Sequence, residues 1–353
     1  MSRPRAVHIV NVVSPSYTGT TWLNLVLGSH SRAFALGPPE RVWASRGSDW
    51  KDACRVHAEA CPFWPEFARH YDADRNFYLQ LAERTGRDVF VINNPSEAHR
   101  RAELGHPDVV VHEIRLIRDG RALAASFARH HEADFLDAVR RFAKPVLESF
   151  EVDFQRVDVP TLRYEEVMAD PEGALRTISN AVGVEWSAES LEYFGFEHHI
   201  TSGNHATIAG VRQLQDAGEA HFRDTSFYEE QVDRMRTSGA RAFKDESWQR
   251  EMGLRERFFF DALCGEDNRR WGYPGDRFTS QEMREFSEEL AEDQGSPAIR
   301  LKQWARAARS RVEPGLRRVA HQFLSRRRLA VLIGGAVMGV ITFALGWFVG
   351  SFF

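Results

Sequence analysis

Three stretches of this chain carry residue types that could do chemistry on an anion. The first is Ser14-Pro15-Ser16-Tyr17-Thr18-Gly19-Thr20-Thr21-Trp22-Leu23. A helix that starts after a tight turn leaves backbone N–H groups unpaired and aims the positive end of its dipole into the turn. Gly19 permits close backbone approach, and the hydroxyls of Thr18, Thr20 and Thr21 add donors. The pattern reads as a phosphate cradle. The second stretch, Arg118-Asp119-Gly120-Arg121-x4-Ser126, offers a planar guanidinium fork for a second phosphate, with a serine about two helical turns on. The third, Gly37-Pro38-Pro39-Glu40, is a loop that presents one carboxylate.

The cradle departs from the nucleotide-triphosphate loop Gly-x4-Gly-Lys-[Ser/Thr]. Aligned on Gly19, that pattern requires glycine at Ser14 and lysine at Thr20. A lysine reaching outer phosphates is therefore missing, which favours a ligand with a single 5′-phosphate.

The elements that must position these groups follow from the apolar runs. Residues 6–13, 88–92, 109–117 and 159–163 are short, β-branched and apolar, as buried parallel strands are. Helices are predicted over 20–29 and 172–182, the latter closed by Gly183. Ligands of an open parallel sheet lie outside the carboxyl ends of its strands, where Gly19 and Arg118 both fall. The fold class expected is α/β: a P-loop-like parallel β-sheet flanked by helices, with a C-terminal amphipathic region and one transmembrane helix.

On these residues the chain resembles the PAPS-dependent sulfotransferases, in their bacterial sulfotransferase-like branch. Ser14 to Leu23 is similar to the loop that holds the 5′-phosphosulfate of 3′-phosphoadenylyl sulfate (PAPS). Arg118 and Ser126 are similar to that family's 3′-phosphate site, including the eight-residue spacing. The resemblance implies that Tyr17, Thr18, Gly19, Thr20, Thr21, Trp22, Arg118 and Ser126 bind the donor. It also implies that Tyr164, in Tyr164-Glu165-Glu166, lies near the adenine, that Glu40 is the base, and that no metal is needed. Two departures accompany it. Tyr17 stands where the family carries lysine or arginine to neutralise the leaving oxygen, leaving Arg41 as a candidate substitute. Asn93-Asn94-Pro95-Ser96 lacks the lysine of the related bacterial loop. Three alternatives stay open: a PAPS-binding protein without catalysis, a P-loop kinase and a scaffold. The resemblance covers roughly residues 6–275, with an insertion expected at about 206–241.

Cys54-x6-Cys61-Pro62-Phe63-Trp64 has His57 and His70 nearby, but the spacing fits no standard zinc site. Packing by Cys61, Phe63 and Trp64 is expected, and no metal is assigned. His198, His199 and His205 are further candidate bases that spacing does not place.

Composition sets outer bounds. The chain has 353 residues, 43% of them hydrophobic and 27% charged, enough for one large α/β domain and an appendage. A formal charge of −4 gives no global nucleic-acid footprint. Three cysteines form no even disulfide framework and suit a reducing compartment. The opening has no signal-peptide pattern and enters a strand almost at once.

Four parts are expected: an α/β domain over 1–275, an acidic linker over 276–297, a basic amphipathic region over 298–328, and a spanning helix over 329–353. The basic region carries ten Lys/Arg against Glu313, and its apolar residues Leu301, Trp304, Ala308, Val312, Leu316, Val319 and Phe323 recur at helical spacing. The last 25 residues are uncharged and long enough to cross a bilayer. Arg326-Arg327-Arg328 would hold the catalytic domain on the cytoplasmic side of a single-pass tail anchor. Gly335 and Gly339 would permit close helix pairing in a homodimer. An unidentified acceptor, a glycan or lipid near the membrane, completes the expected partners.

Overall fold

A computed structural model describes residues 6–45, 48–152, 154–155, 158–214 and 245–294. Five parallel strands form one sheet: β1 (Val7–Val13), β2 (Ala33–Gly37), β3 (Val89–Asn93), β4 (Val109–Ile117) and β5 (Thr161–Arg163), in the order β2-β3-β1-β4-β5. The inner strands are built from Val, Ile and Phe because helices cover both faces of such a sheet. Ile9, Val10, Phe90, Val91, Ile92 and Ile114 are fully buried. Each of the four strands expected from sequence is present, β4 with the same limits and β5 shortened to three residues.

β2 escaped that reading. All five of its residues are buried, yet Ala-Phe-Ala-Leu-Gly lacks the β-branched run that marks the other strands. Its strand character comes from pairing with β3, where Phe34 sits opposite Phe90.

The order of strands fixes where a ligand could sit. From β1 the chain runs to β2 on one side, whereas from β4 it runs to β5 on the other. Neighbouring connections that part in this way open a crevice at the strands' carboxyl ends. β1 pairs with β4 as far as Val13↔Arg115, so the loop from Ser14 to Gly19 and the turn at Arg118 rise side by side. After β1 comes helix α1 (Thr20–Gly28), and after β4 comes helix Gly120–His131. Gly28 lies so close to β2 that a Cβ there would meet that of Ala35 at 2.5 Å, which brings α1 down onto the sheet.

Helix Pro171–Val182 begins with proline in its first turn. The Asp170 side chain accepts from the Gly173 N–H, and Gly183 closes the helix at φ 74°. The Cys-Pro-Phe-Trp stretch does pack: Trp64 is fully buried among Trp50, Phe63 and Phe67, and Cys61 is buried with it.

Contacts divide the chain into two units, residues 1–278 and 279–353. The acidic linker expected over 276–297 contains helix Ser280–Gln294. Its start is a capping box: Glu282 accepts from the Thr279 N–H at 2.7 Å, and Thr279 Oγ1 accepts from the Glu282 N–H at 3.3 Å. A polar, acidic composition concealed this helix, whose apolar positions are only Met283, Phe286, Leu290 and Ala291. Helix His205–Leu214 opens the expected insertion, while 215–241 lies outside the described residues. So do the basic region and the run 329–353 with Gly335 and Gly339. Among the described residues no helix is long and apolar enough to cross a membrane.

Candidate anion site at the carboxyl ends of the strands

The loop after β1 is shaped by two left-handed residues, Tyr17 at φ 69° and Gly19 at φ 82°. Gly19 is the N-cap of α1 and provides no side-chain cap, so the N–H groups of the first turn are left for a ligand. Three hydroxyls brace the turn. Thr20 Oγ1 lies 2.5 Å from Ser14 Oγ and 3.0 Å from Thr18 Oγ1, and Thr18 Oγ1 donates to the Pro15 carbonyl at 2.8 Å.

These contacts sort the expected donors. Thr18 is fully buried and committed to its own loop. Thr21 Oγ1 accepts from the Asn204 N–H at 2.7 Å, tying α1 to the segment after Gly203. Thr20 keeps partial exposure at the helix start. The Trp22 indole is buried, and its Nε1 has no hydrogen-bond partner among the described residues.

Asn94 was missed from sequence. It sits at φ 45° and clamps the loop, accepting from the Ser14 N–H at 3.1 Å and donating to the Ser14 carbonyl at 2.6 Å. The loop after β3 thus holds the cradle in place. Glu40, at the first turn of the short helix Glu40–Ala44, accepts from the Ser96 N–H two residues further on. The candidate base is therefore fixed to the segment that grips the cradle.

Arg118 leaves the end of β4 pointing at the β1 loop. Its Nη1 donates to the Tyr17 carbonyl at 2.9 Å and lies 3.5 Å from Ser126 Oγ. The guanidinium carbon stands 4.4 Å from the centre of the Tyr164 ring. That ring also touches the cradle: a Cβ added to Gly19 would lie 2.9 Å from Tyr164 Cε2. Tyr164 therefore acts as a spacer between Gly19 and Arg118. One of its faces is covered by the guanidinium.

A carboxylate takes the second terminal nitrogen of Arg118, while Nε has no hydrogen-bond partner among the described residues. Nη2 donates to Asp245 Oδ2 at 2.9 Å and to the Asp245 carbonyl at 2.8 Å. The Asp245 N–H donates to the Tyr164 hydroxyl, and Oδ1 accepts from Ser247. Burial pushes the Asp245 carboxyl up, but the charge and hydrogen bonds of Arg118, with those of Ser247, outweigh it and hold it below the usual range. Arg118 is thus an anion receptor already engaged by an anion. Sequence spacing could not find Asp245, which is 127 residues away.

Around this pair the scaffold is tightly set. The Asp119 side chain caps helix Gly120–His131 by accepting from the Arg121 N–H, and Arg121 bridges Asp119 at 2.6 Å and Asp276 at 2.8 Å. Gly120 is packed so closely that a Cβ would meet Leu147 and Phe260 at 2.7 Å. This locks the helix that carries Ser126.

The Tyr17 side chain turns from the cradle toward that same helix. Its hydroxyl lies 3.1 Å from His131 Nε2, and its ring packs on Phe127, His130 and Phe142. Arg41, the candidate substitute for a basic residue at position 17, is held elsewhere by its own side chain's bond. It donates to the Asp52 carbonyl and lines a cleft with Arg55, His205 and Arg212.

The candidate histidines part company. His198 is buried with Nε2 against the Tyr193 carbonyl at 2.7 Å, and burial lowers its pKa to about 4. His205 is exposed at a helix start. His199 joins the cysteines: Cys54, His57, Cys61 and His199 bring four potential ligand atoms together, whereas His70 pairs with Glu66 on its own helix. Sequence spacing assigned no metal because the fourth partner, His199, is 138 residues from Cys61.

Fold and site together define an α/β domain with a phosphate-loop-like turn beside a buried arginine. No protein-family model and no curated protein sequence matches the chain. Among solved structures it is similar to the sulfotransferase domain from the curacin biosynthetic pathway, at 15% identity over 70% of this chain and 96% of that one, TM-score 0.39. It is also similar to the sulfotransferase domain from the Synechococcus PCC 7002 olefin synthase, at 16% identity over 78% and 98%, TM-score 0.41. A third similar structure is sulfotransferase STF1 from Mycobacterium tuberculosis H37Rv, at 16% identity over 60% and 76%, TM-score 0.31. At that distance a functional reading rests on the side chains themselves.

Proposed function

We propose that this chain transfers a sulfuryl group from PAPS to a hydroxyl or amine of an acceptor. The observation that carries the reading is the Arg118 guanidinium, buried and bonded to the Tyr17 carbonyl of the same loop that Gly19 opens toward a helix N-terminus. Adenosine 3′,5′-bisphosphate carries two phosphates on one ribose, and the helix start and Arg118 would receive one each.

The first-turn N–H groups of α1 and Thr20 would hold the 5′-phosphosulfate. Arg118, with Ser126 beside it, would take the 3′-phosphate that distinguishes PAPS from other adenylates. Sulfuryl transfer resembles phosphoryl transfer, in which positioning and charge stabilisation supply most of the rate. The acceptor oxygen or nitrogen attacks sulfur in line, the bond to the bridging phosphate oxygen breaks, and Glu40 receives the acceptor's proton. With Tyr17 in place of a basic residue, the charge on the leaving phosphate falls to the helix start. The 3′-phosphate displaces the Asp245 carboxylate from the guanidinium fork.

The uncharged apolar run 329–353, preceded by Arg326-Arg327-Arg328, supports membrane anchoring with the catalytic domain on the cytoplasmic face; a glycan or lipid near the membrane is then one acceptor class, and a soluble acceptor is equally compatible. Asp245 in the Arg118 fork, together with Tyr17, favours a second reading in which the protein binds the nucleotide without transferring sulfate.

Full-length protein incubated with radiolabelled PAPS and a membrane extract is expected to label a lipid or saccharide, and Arg118→Lys should abolish the labelling. Adenosine 3′,5′-bisphosphate binding without labelling establishes the second reading. Equal affinity for that compound and for AMP overturns both.

A further inference from the structure

Beside β2, where the His199 ring stacks on Phe34, two segments bring soft metal ligands to one point. Cys54, His57, Cys61 and His199 each offer one atom, and the four atoms lie within 4.8 Å of one another. Cys54 Sγ is 3.4 Å from His57 Nδ1, and Cys61 Sγ is 3.4 Å from His199 Nδ1. Zinc held tetrahedrally by thiolate at about 2.3 Å and imidazole at about 2.0 Å separates sulfur from nitrogen by roughly 3.5 Å. The observed pairs have that spacing.

The surroundings match as well. Cys54, Cys61 and His199 are buried, so the cluster is closed to solvent on most sides. With Nδ1 of His199 toward the sulfurs, Nε2 faces Glu197 Oε1 at 3.2 Å. A carboxylate behind a histidine fixes the tautomer and ring orientation that a metal requires. The His57 backbone N–H donates to Cys54 Sγ at 3.3 Å, which stabilises a thiolate. Phe34 and Phe63 stack on the His199 ring and keep the neighbourhood apolar. Two thiols and two imidazoles select zinc over magnesium or calcium.

We propose that Cys54, His57, Cys61 and His199 form a closed, structural Cys2His2 zinc site. It clasps the segment around residue 54 to the segment around residue 199, beside two direct bonds: the Arg55 N–H to the Ile200 carbonyl at 2.9 Å and Trp64 Nε1 to the His199 carbonyl at 2.7 Å. The second segment continues to Asn204, whose N–H grips Thr21 in the first turn of α1. The metal thus steadies a strut of the anion site without touching substrate. A disulfide between Cys54 and Cys61 is the competing chemistry, and it would leave both imidazoles facing sulfur to no purpose.

The test uses the full chain purified without chelator from zinc-supplemented medium, with metal measured by inductively coupled plasma mass spectrometry. Zinc equimolar with protein is expected. Cys61→Ser and His199→Ala should each lower it at least about tenfold, whereas Cys264→Ser and His70→Ala retain it. Should the cysteine variant fail to fold, cobalt exchange into the wild-type protein decides. Intense visible bands with thiolate charge transfer support a tetrahedral site, and their absence overturns it. Folded protein with less than about a tenth of an equivalent of zinc, or a Cys54–Cys61 disulfide in its tryptic map, also refutes the proposal. None of these readouts depends on sulfotransferase activity.

Discussion

Asp245→Asn isolates the competition at Arg118. Both side chains are nearly buried, at 5% and 11% exposure, with 2.9 Å between Nη2 and Oδ2. A 3′-phosphate arriving at the fork meets the Asp245 charge at about 5 Å, which at an effective dielectric near 20 opposes binding by about 3 kcal/mol per unit charge. Because the carboxylate can swing aside, part of that cost is avoided, and the asparagine variant should bind adenosine 3′,5′-bisphosphate about 10–100-fold more tightly. Asparagine keeps an oxygen for the Arg118 hydrogen bond, so the stability loss should be about 1–3 kcal/mol. The assay is calorimetric titration of both proteins with adenosine 3′,5′-bisphosphate and with AMP, which lacks the 3′-phosphate. Only the bisphosphate should gain. Unchanged bisphosphate affinity, or an equal change for AMP, would refute the assignment of Arg118 to the 3′-phosphate.

Gly19→Ala should weaken the bisphosphate more than about tenfold, because a left-handed residue costs roughly 1–2 kcal/mol and the added methyl must also push the Tyr164 ring away. Gly86→Ala, at φ 67° with open space around it, should lose a similar amount of stability and no affinity; matched affinities for the two variants would discount the Tyr164 contact. Glu40→Gln should lower radiolabel transfer by about 10²–10⁴-fold with bisphosphate affinity intact, and an equal loss of both would assign Glu40 to loop positioning through its Ser96 contact. His112 stacks on His8, and burial followed by the His8 charge lowers its pKa. Its folded-state value lies below the unfolded one, so its contribution to stability is full above the ordinary value of 6.5 and is lost as pH falls through the depressed value. Denaturant titrations of His112→Gln should therefore show a flatter acid limb; an unchanged slope would count against the pair.

What the amino-acid order determined by itself was local. The β-branched run of β1, the Gly19 helix start and the nine-residue β4 are each specified by a few neighbouring side chains, and each forms where expected. The side-by-side placement of Gly19 and Arg118 was also legible, since a parallel sheet with crossovers puts its loops on one edge. Tertiary structure alone decided the rest. β2 is a strand by virtue of its partner, and Tyr17 faces an aromatic cluster that includes Phe127 and Phe142. Asn94 clamps a loop 80 residues earlier, Asp245 occupies the Arg118 fork, and His199 meets Cys61. These are meetings of residues far apart in the chain, whose energies depend on burial and charge complementarity that exist only after folding. A spacing rule extends across one turn or one hairpin; the partner of a buried charge or a soft ligand is chosen by the packed core.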